Sequence, residues 1–437
     1  MRTLPAWRVF FFLITTSPQS LKAFLGRHNV HYGSMEPASP SLTPPDSGGV
    51  VAPRVQVAGQ ELTLFVEASA MIDALAADIA AAERRVWIEV YAFANDPGGR
   101  RIADLLAQKS REGLDVRVLY DAVGSQGTPS SFFLALTAAG VQVHSFHSFW
   151  YALRRLSPLA IFNRRDHRKL FVIDEEVSYF GGMNLTDTLP TVRPEVGPGV
   201  AAEDAGGWRD LHVRMLGSRS NDIAESFDRA WRRAHHLPVE RRTRAYRRAR
   251  LPGRSTEFIR FFDSGPGLKN SRAERVFRRV FKLSRESVLI SMAYFLPTWR
   301  MLRALFAARR RGATVQVIVP ANSDVKLVRW ASRYLYPRLL RAGIELYERE
   351  RRMLHSKMMV VDGTWSVVGS CNLDPRSLEI NLEFVAVIRS TALAELITQI
   401  HHDELAASRR VTEADIARRT IWQRIADRVA YVLRWWL

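Results

Sequence analysis

One polar pattern is written twice in this chain, and the repetition restricts the fold more than any other feature. His-x-Lys-x-x-x-x-Asp is followed by six residues, a pair of small residues, one further residue and Asn. The first copy is His167, Lys169, Asp174, Gly181, Gly182 and Asn184, and the second is His355, Lys357, Asp362, Gly369, Ser370 and Asn372, with every spacing equal. With 11 His and 7 Lys among 437 residues, His followed two positions later by Lys is expected about 0.2 times by chance. The other 56 cations are Arg, so Lys at both positions points to sites that need a compact ammonium rather than a planar guanidinium fork. A chain that writes one site twice is expected to fold as two similar halves.

The surrounding grammar repeats as well. A helical stretch over Met71 to Arg84 leads into the strand-like run Val86 to Phe93, and Ala273 to Ser284 leads into Val288 to Phe295. Amphipathic helices then close at Gly113 and Gly312, where Gly suits a helix C-cap. Strands follow from Val116 and Val315, and further helices close at Gly140 and Gly343 ahead of VQVHSF and IELYER. Strands alternating with helices predict an α/β fold with largely parallel sheets. The expected organisation is two similar α/β domains related by a pseudo-twofold, with the active site at their interface. The boundaries fall at 1–54 for an N-terminal extension and Pro/Ser-rich linker, 55–254 and 255–407 for the two domains, and 408–437 for a C-terminal basic amphipathic helix.

The spacing has a geometric reading. LFVI and MMVV mark strands, and residues two apart on a strand share a face, so each His and its Lys are expected to point the same way. Asp362-Gly363 is a strong hairpin signal and VIDEEV a looser turn, which gives Asp174 and Asp362 a structural place within the motif. The returning strand brings the small residues and Asn back beside His and Lys, where a missing side chain lets a substrate approach the backbone. A carboxylate is expected to complete each set, Asp210 for the copy that holds His167 and Glu383 for the copy that holds His355. A carboxylate on one imidazole nitrogen fixes the tautomer and frees the other to react. The pairs His235-His236 and His401-His402 lack a metal-ligand pattern and read as surface residues.

These are the paired HKD motifs of the phospholipase D superfamily, which the chain resembles over roughly residues 60–400, most closely the short bacterial cardiolipin synthases without transmembrane helices. NRRDHRK before the first site and GSCNLDPRSLEINLE after the second carry that likeness; Gly182, where the second copy has Ser370, is the one departure. The resemblance implies a two-step displacement through a phosphohistidine. His167 is the nucleophile and His355 the acid/base by resemblance, although the symmetry of the sequence leaves the order open. Lys169, Lys357, Asn184, Asn372 and Ser370 would hold the phosphate oxygens, so no metal or other cofactor is expected. The reaction implied is cardiolipin synthesis from phosphatidylglycerol and a second glycerol-bearing phospholipid. Water as acceptor would instead give a hydrolytic phospholipase D or nuclease, and loss of turnover would leave a basic binding protein.

A net charge of +19 favours a polyanionic partner, either nucleic acid or an anionic membrane surface. Three stretches point to lipid. Phe149, Trp150, Tyr151, Leu156 and Phe162 interleave with Arg154, Arg155, Arg164 and Arg165 before the first motif, and VKLVRWASRYLYPRLLRAG precedes the second. At the C-terminus Ile421, Ile425, Val429, Val432 and Leu433 share one helical stripe flanked by arginines and Trp435-Trp436. The reading is a peripheral protein of a bacterial inner membrane that binds anionic phospholipid such as phosphatidylglycerol, not nucleic acid, and works as a monomeric pseudo-dimer. The lone Cys371 permits no intrachain disulfide. VFFFLI behind Arg2 and Arg8 is too short to span a bilayer and lacks a clean cleavage site; Met35 is an alternative start.

Overall fold

Strands that are apolar at every position need cover on both faces, and LFVI and MMVV receive it. The computed structural model describes residues 52–146, 164–186, 207–235, 237, 257–264 and 272–435. The N-terminal extension through residue 51, most of the aromatic and basic insertion before the first motif, the Gly/Pro-rich insertion after it, His236 and Trp436 lie outside the described residues. The first half holds β1 (Arg54–Val57), β2 (Gln60–Phe65), β3 (Arg85–Val90), β4 (Asp115–Asp121), β5 (Gln142–Phe146), β6 (Leu170–Ile173), β7 (Val177–Gly181), β8 (Trp208–Arg209) and β9 (His212–Leu216). Its helices are α1 (Ala68–Ala81), α2 (Pro97–Arg111), α3 (Ser130–Ala138) and α4 (Ser220–Ala234). The second half holds β10 (Phe258–Ser264), β11 (Ser287–Met292), β12 (Thr314–Pro320), β13 (Glu345–Arg349), β14 (Met353–Leu354), β15 (Lys357–Val361), β16 (Trp365–Gly369), β17 (Glu383–Arg389) and β18 (Ser408–Arg410). Its helices are α5 (Arg272–Leu283), α6 (Trp299–Arg310), α7 (Lys326–Arg341), α8 (Pro375–Glu379), α9 (Thr391–Ala406), α10 (Glu413–Ala417) and α11 (Ile421–Val432).

Two eight-stranded sheets run in the orders β1-β2-β9-β7-β6-β3-β4-β5 and β10-β17-β16-β15-β11-β12-β13-β18. Seven strands correspond one to one, β2 to β10 through β5 to β13; the eighth is added at opposite edges. The expectation of largely parallel sheets is corrected. Within these two sheets, among the described residues, only β3-β4-β5 and β11-β12-β13 pair in parallel, and the remaining ladders of both are antiparallel. The reason is local. The motif strands return through tight hairpins at Asp174 and Asp362, and a hairpin can only make an antiparallel pair.

The two sheets share a core. Leu170, Val172, Phe180 and Val213 from the first pack with Phe261, Met358, Val360, Phe384 and Ala386 from the second, and the Phe261 and Phe384 rings stack at 5.3 Å. Alternate residues of β15, Met359 and Val361, face the other way into a core covered by α5, α6 and α7. Period two thus sends one set of side chains between the halves and the other beneath the helices.

Candidate active site at the junction of the halves

His167 and Lys169 precede β6, and His355 lies two residues before β15, so the histidines are not strand residues as the spacing suggested. At each His the chain leaves its own sheet and hydrogen-bonds the other half. His167 N donates to Leu382 O at 3.0 Å and Leu382 N to Arg165 O at 2.8 Å. Opposite, β14 pairs with β8 in parallel and His355 N donates to Arg209 O at 2.7 Å. Leu382 and Arg209 each stand one residue before a carboxylate, Glu383 and Asp210.

The carboxylates therefore cross over, which corrects the pairing expected within each copy. His167 Nδ1 lies 3.3 Å from Glu383 Oε2 and 3.2 Å from the Ser370 carbonyl. His355 Nδ1 lies 2.5 Å from Asp210 Oδ2. A carbonyl oxygen can only accept, so His167 carries its hydrogen on Nδ1 and keeps a lone pair on Nε2. Asp210, whose carboxylate only accepts, favours the same tautomer of His355, whose Nδ1 also lies 2.7 Å from Lys357 Nζ. Sequence distance had favoured the nearer partner, but the junction joins the farther one.

The remaining motif residues divide by task. Lys169 Nζ donates to His167 O at 2.7 Å and sits over the Tyr91 ring at 5.1 Å; Lys357 Nζ reaches Asp210 Oδ2 at 3.4 Å. Asn184 Oδ1 accepts from Ala92 N at 3.2 Å and Asn372 Oδ1 from Tyr294 N at 3.3 Å. Each amide is thereby oriented with its NH2 left to donate elsewhere. The Ser370 hydroxyl donates to the Glu383 carboxylate, so its hydrogen is committed to that carboxylate rather than to a phosphate. Asp174 and Asp362 stand at the far ends of their strands. Asp174 accepts from the backbone N–H of Glu83, Arg84 and Arg85, and Asp362 from those of Arg285, Glu286 and Ser287.

Three neighbours carry no spacing signal in the sequence. The Tyr91 ring meets His167 edge-on at 5.0 Å, and the Trp208 ring lies 4.6 Å from that of His355. Arg168, between the motif residues, turns to the opposite side and binds Glu89 at 2.5 Å and Asp166 at 3.1 Å. Arg168 and Asp166 belong to the quoted NRRDHRK stretch, yet only the buried Glu89 on β3 reveals what they hold. His401, expected at the surface, is buried on the inner side of α9 and pairs with Ser291 Oγ at 2.9 Å.

Burial dominates the electrostatics. It draws His167 well below the ordinary histidine range, helped by Lys169, Lys357 and His355, and lowers His355 with the help of Lys357. Both imidazoles are therefore neutral near pH 7, as a nucleophile must be. Burial also brings Lys169 down to about 7 and pushes Glu383 up to about 8. It acts against Asp210 too, but Lys357 and His355 outweigh it and hold that carboxyl below its usual value. Two lysines, two amides and two imidazoles with bound Nδ1 form a site for a tetrahedral anion. A phosphate between them would return charge to the lysines and to one imidazole.

Comparison with known proteins agrees. The family described as "Cardiolipin synthase, PLD-like domain" matches residues 75–192 and 277–403. Major cardiolipin synthase ClsA of Bacillus subtilis (strain 168) is 30% identical over 363 residues, 82% of this chain and 72% of that protein. Cardiolipin synthase A of Erwinia tasmaniensis is 32% identical over 389 residues, 86% of this chain and 75% of that protein. Among solved structures, phosphatidylserine synthase of Haemophilus influenzae Rd KW20 shares the fold with a TM-score of 0.62 at 15% identity, covering 88% of this chain and 97% of its own. Polyphosphate kinase of Porphyromonas gingivalis shares it with a TM-score of 0.53 at 13% identity, covering 81% and 49%. Both motif-bearing segments fall inside the family match, and the chain belongs to the cardiolipin synthase family of phospholipase D-like proteins.

Proposed function

We propose that the protein is a phosphatidyltransferase that makes cardiolipin from phosphatidylglycerol and a second glycerol-bearing phospholipid. The crossed carboxylate–histidine pairs carry this reading, because they give one phosphodiester two imidazoles with reactive Nε2 atoms. Nε2 of His167 attacks phosphorus while His355, charged beside the bound phosphodiester, gives its Nε2 proton to the departing glycerol oxygen, leaving a phosphatidyl group on His167. His355 then takes the proton of the incoming lipid hydroxyl, whose oxygen displaces His167 from phosphorus. Lys169, Lys357 and the amides of Asn184 and Asn372 hold the non-bridging oxygens as their charge grows. One chain supplies both half-sites, so catalysis needs no second copy. Its lipid substrates support a position at the surface of a bacterial inner membrane.

The test is mass spectrometry of lipids after incubation with phosphatidylglycerol vesicles. Cardiolipin with one free glycerol per turnover is the expected product, lost by ~1,000-fold or more in His167→Ala and His355→Ala. Phosphatidic acid alone would make water the acceptor and overturn the transferase assignment.

A further inference from the structure

Helix α11 is amphipathic in the reverse sense for a packed helix. Facing α7 it buries Ala430 and Asp427, and Tyr431 stacks on Tyr334 at 4.5 Å. Asp427 is tied to Arg419 at 2.8 Å. The apolar residues lie on the other side: Ile421 is 64% exposed, Trp422 76%, Val429 53% and Val432 65%, with Ile425 at 45%. At 100° per residue these five occupy one arc about 100° wide. Arg424 and Arg428, both exposed, run along one edge of that arc.

Helix formation itself is well specified. Thr420 and Gln423 make a reciprocal capping box at the N-terminus, and Arg434 lies over the Tyr431 ring at 4.3 Å at the other end. A capped and anchored helix that turns two valines, two isoleucines and a tryptophan outward leaves a contiguous apolar face for something else to cover. Charge decides between occupants. Arginines beside an apolar arc suit an anionic lipid interface, with the arc in the acyl boundary and the guanidinium groups at the phosphates. A second copy would bring Arg424 and Arg428 against a like-charged surface.

We propose that α11 is the element that seats the protein on anionic bilayers, its axis lying in the interfacial plane. The inference deepens the membrane placement proposed above by naming the surface, but it stands on exposure and charge rather than on the catalytic assignment. The test compares the full chain with its Trp422→Ser/Ile425→Ser/Val429→Ser variant. All three positions are exposed, so the thermal midpoint should hold. Co-sedimentation with phosphatidylglycerol/phosphatidylcholine vesicles should fall at least about tenfold, as three buried apolar side chains are lost. Turnover of short-chain phosphatidylglycerol below its micellar concentration should be unchanged. Arg424→Gln/Arg428→Gln should weaken binding to the anionic vesicles by about fivefold per arginine and leave binding to neutral vesicles unaltered. Unchanged sedimentation of the triple variant overturns the proposal, as does a wild-type dimer in solution that the triple variant turns into a monomer. Wild-type protein that binds vesicles through α11 but yields no lipid product would instead defeat the transferase reading and leave the docking surface standing.

Discussion

At Gly182 the room for a side chain is filled by a carboxylate: a Cβ there would stand 2.1 Å from Asp210 Oδ1. The other copy solves the same problem with a longer acid. Glu383 reaches past Ser370, whose hydroxyl donates to it. Gly with Asp and Ser with Glu are thus matched pairs, which explains the one departure between the motifs. Gly182→Ser should displace Asp210 from His355 and reduce kcat by roughly 10- to 100-fold with little change in KM, whereas Ser370→Gly, which removes the hydroxyl's two hydrogen bonds, to Glu383 and from Phe384 N, but adds no clash, should do less. Steady-state kinetics of the two variants checks the order. The lysines allow a prediction about pH. Lys169 titrates at about 7 in the free site because burial disfavours its charge, and it binds the substrate anion only as an ammonium. As pH rises through 7 the free enzyme loses that charge, so kcat/KM should fall on the alkaline side. A bound phosphodiester restores the higher pKa, so kcat should persist to higher pH than kcat/KM. A coincident fall of both would contradict this role for Lys169.

Among elements, the motif hairpins show what the sequence discloses and what it conceals. Helix and strand identities, the repeat and the turn at Asp362-Gly363 were readable because each rests on local chemistry: C-cap glycines, period two, a hairpin dipeptide. Asp362 adopts φ 50° and Gly363 φ 54°, the left-handed pair such a turn requires. What the turn is tied to was hidden, because its partners lie about 75 residues upstream, just before β11 and at its first residue. Sheet direction was misjudged for a related reason: helix–strand alternation describes only β3–β5 and β11–β13, while the motif hairpins add the antiparallel remainder. In Asp362→Ala three backbone N–H groups lose their acceptor and a non-glycine residue stays in a left-handed conformation. The cost should be about 1–3 kcal/mol, seen as a lower denaturant midpoint, with kcat close to wild type because the carboxylate lies at the far end of the strand from His355. Loss of activity without loss of stability would give Asp362 the catalytic place that its motif suggests.

Across the whole molecule, the twofold logic that repeats the site also decides which half completes it. A pairing within each half was the simplest reading of chain distance, and it fails because each His leaves its own sheet to meet a strand of the other. Beneath His355 the exchange is reinforced by ions. Glu404 on α9 binds Arg209 of the first half and Arg349 of the second, each at 2.8 Å, and Glu67 of the first half binds Arg209 at 2.6 Å and Arg352 of the second at 2.6 Å. These ions thus fix Arg209, which stands next to Asp210 and whose carbonyl accepts from His355 N. Glu404 is buried, so removing its charge leaves the buried Arg349 guanidinium without its carboxylate, while Arg209 keeps only Glu67. Glu404→Gln should cost ~3–5 kcal/mol, read as a fall in thermal midpoint. It should also lower kcat, since Asp210 and the His355 backbone share the Arg209 support. Glu67 is about one-third exposed, so solvent screens its pairs and Glu67→Gln should cost less. If Glu404→Gln lowers stability with kcat intact, the ions join the halves without positioning the site. If it does neither, the shared apolar core between the sheets is sufficient to hold the two histidines in place.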